Sequence, residues 1–319
     1  MADRTPYLVI NPQANEGNTG KNLDRILALS KEVLGEFEYG LTTGIGNGID
    51  LAKKAKENGF STILAVGGDG TLNEVVNAVI NSNIKVGMLP TGGSCDAFQT
   101  QGIPKSLEKS LEIVSSGYTK KLPAGLAKGD TERYFIDMVN GAFTGYVNSR
   151  ERDWGKSWLK GDLRYTLLAF ESAMKYKPVR TTIKVDDFVR NLDLSFFALG
   201  LSNIIAGYNV LPENHPEKGD LGVVTLRDQK GLKLISSMVR LMFSSITKNK
   251  KAEILYGKNI SIESEAGMTW VTEGEIFSTE AKKLEFSFIP DAINMIISKD
   301  WKYESSDAEK KKALKALNK

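Results

Sequence analysis

One cysteine, Cys95, and one histidine, His215, are all that the 319 residues contain of either type. A lone cysteine excludes an intramolecular disulfide and fits a reducing compartment. A lone histidine excludes a histidine-built metal centre, and the polar loop between Pro212 and Pro216 supplies it with no evident catalytic partner. Long apolar runs are missing too. Leu194–Leu201 is apolar but falls far short of the roughly 18 residues a membrane-crossing helix needs, so it reads as a core strand. Charge of one sign is scarce, the net charge being +3. Five lysines against three acids from Glu304 to Lys319 leave +2 of that total in the tail. The nearly neutral remainder excludes a basic footprint for nucleic acid. Met1-Ala2-Asp3-Arg4 opens without a signal-peptide pattern, so the expected location is cytoplasmic. No internal repeat or low-complexity linker interrupts the chain. Hydrophobic residues at 41% and charged residues at 25% are ordinary globular values, and the length suggests two domains.

What stands out is Val66-Gly67-Gly68-Asp69-Gly70-Thr71-Leu72-Asn73-Glu74. A β-branched apolar run, Ser61 to Val66, precedes it and reads as a buried strand. Leu72, Val75, Val76, Val79 and Ile80 follow at the spacing of one helix face. Three glycines and an aspartate therefore sit on a tight turn from strand to helix. Glycine lets backbone approach a ligand closely, and a helix N-terminus offers free N–H groups to an anion. Asp69 cannot hold a phosphate itself, since like charges repel. An acid beside a phosphate cradle makes sense with a divalent cation between them.

Around this turn the first 120 residues alternate strand and helix. Strands are expected at Tyr7–Ile10, Glu36–Thr43, Ser61–Val66 and Ile84–Leu89. Helices are expected through Leu23, Ile26, Leu27 and Val33, at Gly48–Lys56, after Thr71, and at Lys105–Ser116. That order implies a parallel sheet covered on both faces, with ligands at the carboxyl ends of the strands. Asn11, Thr43, Gly67 to Thr71 and the loop Gly92-Gly93-Ser94-Cys95-Asp96 all fall at such ends.

From about residue 120 the pattern becomes period-two with turns, predicting a mostly β second domain. Hairpins are expected at 122–128 with 133–139, and at 181–186 with 192–201, and a helix at Leu163–Tyr176. Leu232, Ile235, Val239, Met242, Phe243 and Ile246 form an apolar stripe followed by Lys248, Lys250 and Lys251. The stripe either packs on its own β domain, the reading favoured here, or lies on an anionic membrane surface. Strands at Leu284–Ile289 and Ala292–Ile297 close the pattern, and Glu273-Gly274-Glu275 reads alone as a hairpin turn.

The string Gly-Gly-Asp-Gly-Thr-Leu-Asn-Glu-Val-Val-Asn closely resembles the signature of the diacylglycerol kinase catalytic domain, found in bacterial lipid kinases and sphingosine kinases. Shorter Gly-Gly-Asp-Gly forms mark NAD kinases and phosphofructokinases; Asn73-Glu74 favours the lipid-kinase branch. Asn11-Pro12 with Gly17 is similar to the family's opening loop, although Gln13 and Asn15 replace its usual lysines. Thr42-Thr43 with Gly46 to Ala52 resembles its next segment. In Pro90 to Phe98 the residues Pro90, Gly92 and Asp96 match, while Gly93 replaces a threonine and Cys95 an asparagine. Further on, Asn140 to Gly145 and Tyr165 resemble family segments. Pro212, Gly219, Leu221 and Val223 match as well, but Lys218 and Gly222 stand where acids that hold a structural magnesium are usual. Glu273-Gly274-Glu275 resembles Asp-Gly-Glu, whose aspartate serves as base on the acceptor hydroxyl; here a glutamate replaces it.

The resemblance, over residues 5 to 300, implies an NAD kinase/phosphofructokinase-like α/β domain (1–120), a β-sandwich acceptor domain (121–288), a strand returning to the first domain (289–303) and a charged tail (304–319). It implies an ATP-dependent lipid kinase with magnesium, its nucleotide in a cleft between the domains. Glu273 and Asp69 are the expected catalytic residues, Asp69 holding the magnesium. Asn11, Thr43, Gly67, Gly68, Gly70, Thr71, Glu74, Gly92, Gly93 and Glu275 are expected around the nucleotide, and Asp96 at the acceptor. The expected partner is a lipid at a membrane surface met peripherally, without a transmembrane segment or nucleic acid; a homodimer stays open. Three rivals stay open as well: an NAD kinase-like small-molecule kinase, a binding relative without turnover, and a kinase for an unusual lipid alcohol.

Overall fold

Four short strands carry the first unit: β1 (Tyr7–Ile10), β2 (Glu38–Leu41), β3 (Thr62–Gly67) and β4 (Lys85–Pro90). The computed structural model describes residues 5–93, 103–151, 154, 161–205, 208–211, 214, 216–242 and 246–301. The four strands pair in parallel in the order β4-β3-β1-β2. Parallel neighbours need crossovers, and helices supply them. α1 (Asn18–Lys21) and α2 (Leu23–Leu34) follow β1, α3 (Asn47–Glu57) follows β2, α4 (Asp69–Val79) follows β3, and α5 (Leu107–Ser116) follows β4.

Strands β1, β3 and β4 are buried almost throughout, which is why they read as apolar runs rather than alternations. Leu8, Ile10, Leu64, Val66 and Leu89 meet Ile26 of α2 and Leu111 and Val114 of α5 in one cluster. Each such side chain contributes roughly 1.5–3 kcal/mol on burial. Val33, expected on the packed side of α2, is exposed instead. The end of the last strand returns to this unit in parallel beside β4, pairing Asn294 with Lys85 and Met295 with Val86.

The second unit runs from Gly125 to Phe288. Its strands are the end of β5 (Thr119–Lys128) from Gly125 on, β6 (Glu132–Phe135), β7 (Met138–Ala142), β8 (Val179–Val185), β9 (Phe188–Gly200), β10 (Ile204–Ile205), β11 (Tyr208–Asn209), β12 (Leu221–Arg227), β13 (Ala252–Gly257), β14 (Asn259–Thr272) and β15 (Glu275–Ile296) as far as Phe288. Antiparallel pairs run in the order β13-β12-β9-β7-β14-β15, and β8 pairs both β9 and β14. Phe197, Trp270 and Phe286 anchor the core, with ring centroids 5.5 to 6.1 Å apart. Gly141 lies under the Trp270 ring, which an added Cβ would meet at 2.6 Å.

Helices α6 (Phe143–Glu151), α7 (Gly161–Lys175) and α8 (Gly231–Met242) pack on this unit. Glu171 ties α7 to its neighbours, accepting from Lys175, Trp154 and Arg150; those three donors hold its carboxyl down at about 2. The two closing strands expected from the sequence are one continuous strand, β15. The second arm of the first hairpin is broken into β6 and β7 at Ile136-Asp137, whose amides donate to Glu273 rather than to a ladder.

Helix α8 packs on its own β unit as expected, but its stripe is buried only in part. Ile235 packs against the core and Ile246 just beyond the helix is buried, while Leu232 and Val239 are exposed and Leu234, Ser237 and Leu241 take the buried positions. The helix is apolar on two sides, and periodicity alone could not say which one the core takes.

Candidate functional site

The glycine-rich turn sits where β3 ends and α4 begins, with Gly68 as the extended residue before the helix. Gly67 has little choice of side chain, because an added Cβ would lie 2.3 Å from Thr71 Oγ1. Its carbonyl accepts the backbone N–H of Thr91 at 3.0 Å and of Gly92 at 2.8 Å. The turn after β3 and the loop after β4 are thus stitched together backbone to backbone. At Gly92 the approach is closest, since a Cβ there would stand 2.4 Å from Gly68 Cα. Gly92→Ala is therefore expected to destabilise the protein by about 1–3 kcal/mol, the usual range of overpacking. Gly93→Ala, whose Cβ would meet nothing within 4 Å, should leave the urea midpoint unchanged. Equal midpoints for the two variants would contradict this reading.

Other expected residues converge on the same strand ends. Asn11 Nδ2 donates to Thr71 Oγ1 at 3.3 Å, and Asn11 Oδ1 accepts the N–H of Gln13 at 3.0 Å. Thr19 Oγ1 donates to Thr91 Oγ1 at 2.8 Å. Thr19 and Thr91 also border a cavity of about 330 Å³ that includes Asn15, Asn18, Arg25 and Lys105. Asp69 is half-buried in the first turn of α4, where a carboxylate also favours the helix dipole. A larger cavity of about 410 Å³, among β8, β14 and β15 near Lys184 and Asp186, contains none of the motif residues.

Glu74 has a position the sequence did not foretell. Its Oε1 accepts the N–H of Gly46 at 2.5 Å and its Oε2 that of Gly48 at 2.8 Å. The carboxylate thereby satisfies orphan amides at the start of α3 and holds the loop that carries Thr43. A side chain at Gly48 would collide with it, its Cβ lying 2.2 Å from Glu74 Oε2. Glu74 thus acts on the loop through backbone. Thr43 contributes its N–H to Asn47 Oδ1 at 3.1 Å. Asp96 and Cys95 lie outside the described residues, as does His215.

In the second unit, Glu273 and Gly274 form the two-residue turn between β14 and β15, both left-handed at φ 48° and 82°. Such hairpin turns prefer Asn, Asp or Gly at the first position, so a glutamate there is locally costly. Long-range bonds hold it: Glu273 Oε1 accepts the N–H of Ile136 at 3.0 Å and of Asp137 at 2.9 Å. Glu275 is ion-paired, its Oε2 2.8 Å from Arg133 Nη2 with both side chains largely buried. The Glu275 carboxylate is thus taken up by an arginine, whereas Glu273 Oε1 is held by backbone amides. In the adjoining ladder, where Asn140 faces Val271, Asn140 Oδ1 is buried without a hydrogen-bond partner among the described residues. Asn140 opens the Asn140–Gly145 segment, and its burial is not legible from spacing.

Near Gly219 the two residues that stand in place of the family's acids, Lys218 and Gly222, have definite surroundings. Lys218 Nζ lies 3.3 Å from the centroid of the Tyr256 ring, a cation–π contact that places one positive charge there already. At Gly222 an added Cβ would be 2.9 Å from Asn214 Cγ, leaving no room for an acid. Among the described residues no group of three or more Asp, Glu, His or Cys converges. The thermal midpoint without nucleotide is expected to be the same in EDTA as in millimolar magnesium. A rise with magnesium would reveal a structural ion.

A parallel α/β unit with a Gly-Gly-Asp-Gly turn at its strand ends, and a mostly β unit in the same chain, define an NAD kinase-like fold class. Residues 5–127 match the family model "Diacylglycerol kinase catalytic domain" and residues 143–297 the model "YegS C-terminal NAD kinase beta sandwich-like domain". Residues 5–127 belong to the diacylglycerol kinase catalytic-domain family, and the chain is a lipid kinase. A diacylglycerol kinase of Staphylococcus epidermidis is 28% identical over 255 residues, 79% of each chain. One of Staphylococcus aureus is 27% identical over 272 residues, 84% of this chain and 85% of its own. A diacylglycerol kinase structure from Bacillus anthracis superposes with TM-score 0.68 at 16% identity, covering 94% of this chain and 98% of the other. At that identity it speaks for the fold.

Proposed function

We propose that this lipid kinase transfers the γ-phosphoryl group of Mg-ATP to the hydroxyl of a diacylglycerol-like or other long-chain alcohol. The observation that carries the reading is the stitched pair of glycine loops, Gly67-Gly68 against Thr91-Gly92, at the start of α4. Backbone packed this closely, at a helix N-terminus, suits phosphates rather than bulkier groups. Gly67, Gly68, Gly70 and Thr71 would cradle them, with Asn11 fixing the Thr71 hydroxyl and Glu74 fixing the Thr43 loop. Gly92 and Gly93 would border the nucleotide, and Asp96 the acceptor.

A single carboxylate, Asp69, fits magnesium that arrives with a nucleotide, since such an ion takes one or two carboxylates and fills its shell with phosphate and water. When bound it would neutralise charge on the phosphates. Glu273 would take the proton of the acceptor hydroxyl, its side chain aimed by the amides of Ile136 and Asp137. Phosphoryl transfer then needs positioning and little else.

Supplying radiolabelled ATP with diacylglycerol, sphingoid bases and NAD in separate reactions tests the reading. Label is expected in a lipid and not in NADP. Label in NADP alone would identify a small-molecule kinase, and single-turnover reactions without any product would identify a binding protein.

A further inference from the structure

We infer that the exposed faces of α7 and α8 form the surface by which this enzyme rests on an anionic lipid bilayer. The inference builds on its being a lipid kinase and names the part that meets the substrate's phase. Helix α7 buries Leu168, Ser172 and Ala173, and the face it leaves exposed carries Leu167, Phe170 and Met174, at i, i+3 and i+7. Phe170 is 50% and Met174 57% exposed, on a face that a water-facing helix would fill with charge. Helix α8 buries Leu234 and Leu241 and exposes Leu232, at 67%, and Val239. The two faces adjoin: Met174 Sδ is 3.7 Å from where a Cβ on Gly231 would stand. With Tyr165, six of the fourteen exposed large hydrophobics among the described residues belong to these two helices.

Charge decides the occupant. Residues 228 to 251 hold six basic side chains and one acid, in a chain whose net charge is only +3. Lys230, Lys233, Lys248 and Lys250 are exposed around α8; the one acid, Asp228, pairs with Lys251 at 2.7 Å. On α7, Glu171 is taken up by Arg150, Trp154 and Lys175. An apolar face rimmed by lysines is the pattern of an interfacial contact, the apolar groups entering the acyl boundary and the lysines meeting anionic headgroups. A second copy docking symmetrically through this face would bring one basic patch against another. Among the described residues no helix is long and apolar enough to cross a membrane, so a contact through these helices would be peripheral.

Co-sedimentation of the full chain with extruded vesicles tests this. Wild type is expected to bind vesicles of phosphatidylcholine and phosphatidylglycerol in equal parts, less so in high salt, and hardly to bind phosphatidylcholine alone. Phe170→Ser with Met174→Ser, and separately Lys230→Glu with Lys233→Glu, are each expected to weaken that binding at least about tenfold. Because all four side chains are exposed, melting curves should match wild type. Phosphorylation of a short-chain acceptor dispersed as monomers should be unchanged in both variants, while phosphorylation of acceptor embedded in anionic vesicles falls. No kinase activity on the dispersed acceptor in any form would count against the kinase reading alone, since vesicle binding is measured separately. The proposal is overturned by wild-type binding that ignores lipid charge, or by variants that bind as wild type. It is equally overturned by a dimer in sedimentation velocity that Phe170→Ser with Met174→Ser dissolves, with no vesicle binding.

Discussion

Glu273→Gln is expected to lower kcat by at least about 10²-fold, the low end of typical general-base contributions. The substitution keeps shape and keeps an oxygen able to accept from Ile136 and Asp137, the two amides that hold Glu273 at 3.0 and 2.9 Å. It removes only the capacity to take a proton. KM for ATP should change little, because the residue addresses the acceptor. Glu273→Asp makes a second arm. It relieves a left-handed position that glutamate tolerates poorly but shortens the reach by one methylene, so partial activity on the true acceptor is expected. Wild-type turnover by Glu273→Gln would disqualify the base. Glu275, ion-paired with Arg133, would then be the next candidate.

Asp69→Asn should reduce kcat/KM by at least about 10²-fold, the scale of losing one strong electrostatic group at a transition state. Fold stability is expected to fall far less, because a first-turn carboxylate contributes only about 0.3–1 kcal/mol through the helix dipole. The contrast separates the two roles open to Asp69. A residue that merely caps α4 would show a small stability loss and normal kinetics. A residue that engages the magnesium of Mg-ATP would show the reverse, with weakened Mg-ATP binding by calorimetry.

What the sequence made legible was local. The β3–α4 turn declares itself because an apolar run, a glycine-rich break and a 3.6-residue period lie side by side within 20 residues of chain. The parallel order of the first unit followed from the alternation of such segments. What stayed hidden depends on partners far apart in sequence. Glu74 fastening Gly46 and Gly48, Gly92 approaching Gly68, and Glu273 reaching Ile136 across 137 positions leave no local trace. Helix α8 is only partly legible for a different reason. With apolar residues on two sides, its period is satisfied twice, and only the neighbouring elements determine which side is buried.

The central claim is tested most directly by following γ-labelled phosphate from ATP into extracted lipid, with the wild-type chain and Asp69→Asn in parallel. The account predicts a labelled phospholipid that needs magnesium, appears with the wild type and is reduced at least about 10²-fold with Asp69→Asn. Label that reaches the lipid equally with both proteins, or without magnesium, would contradict it.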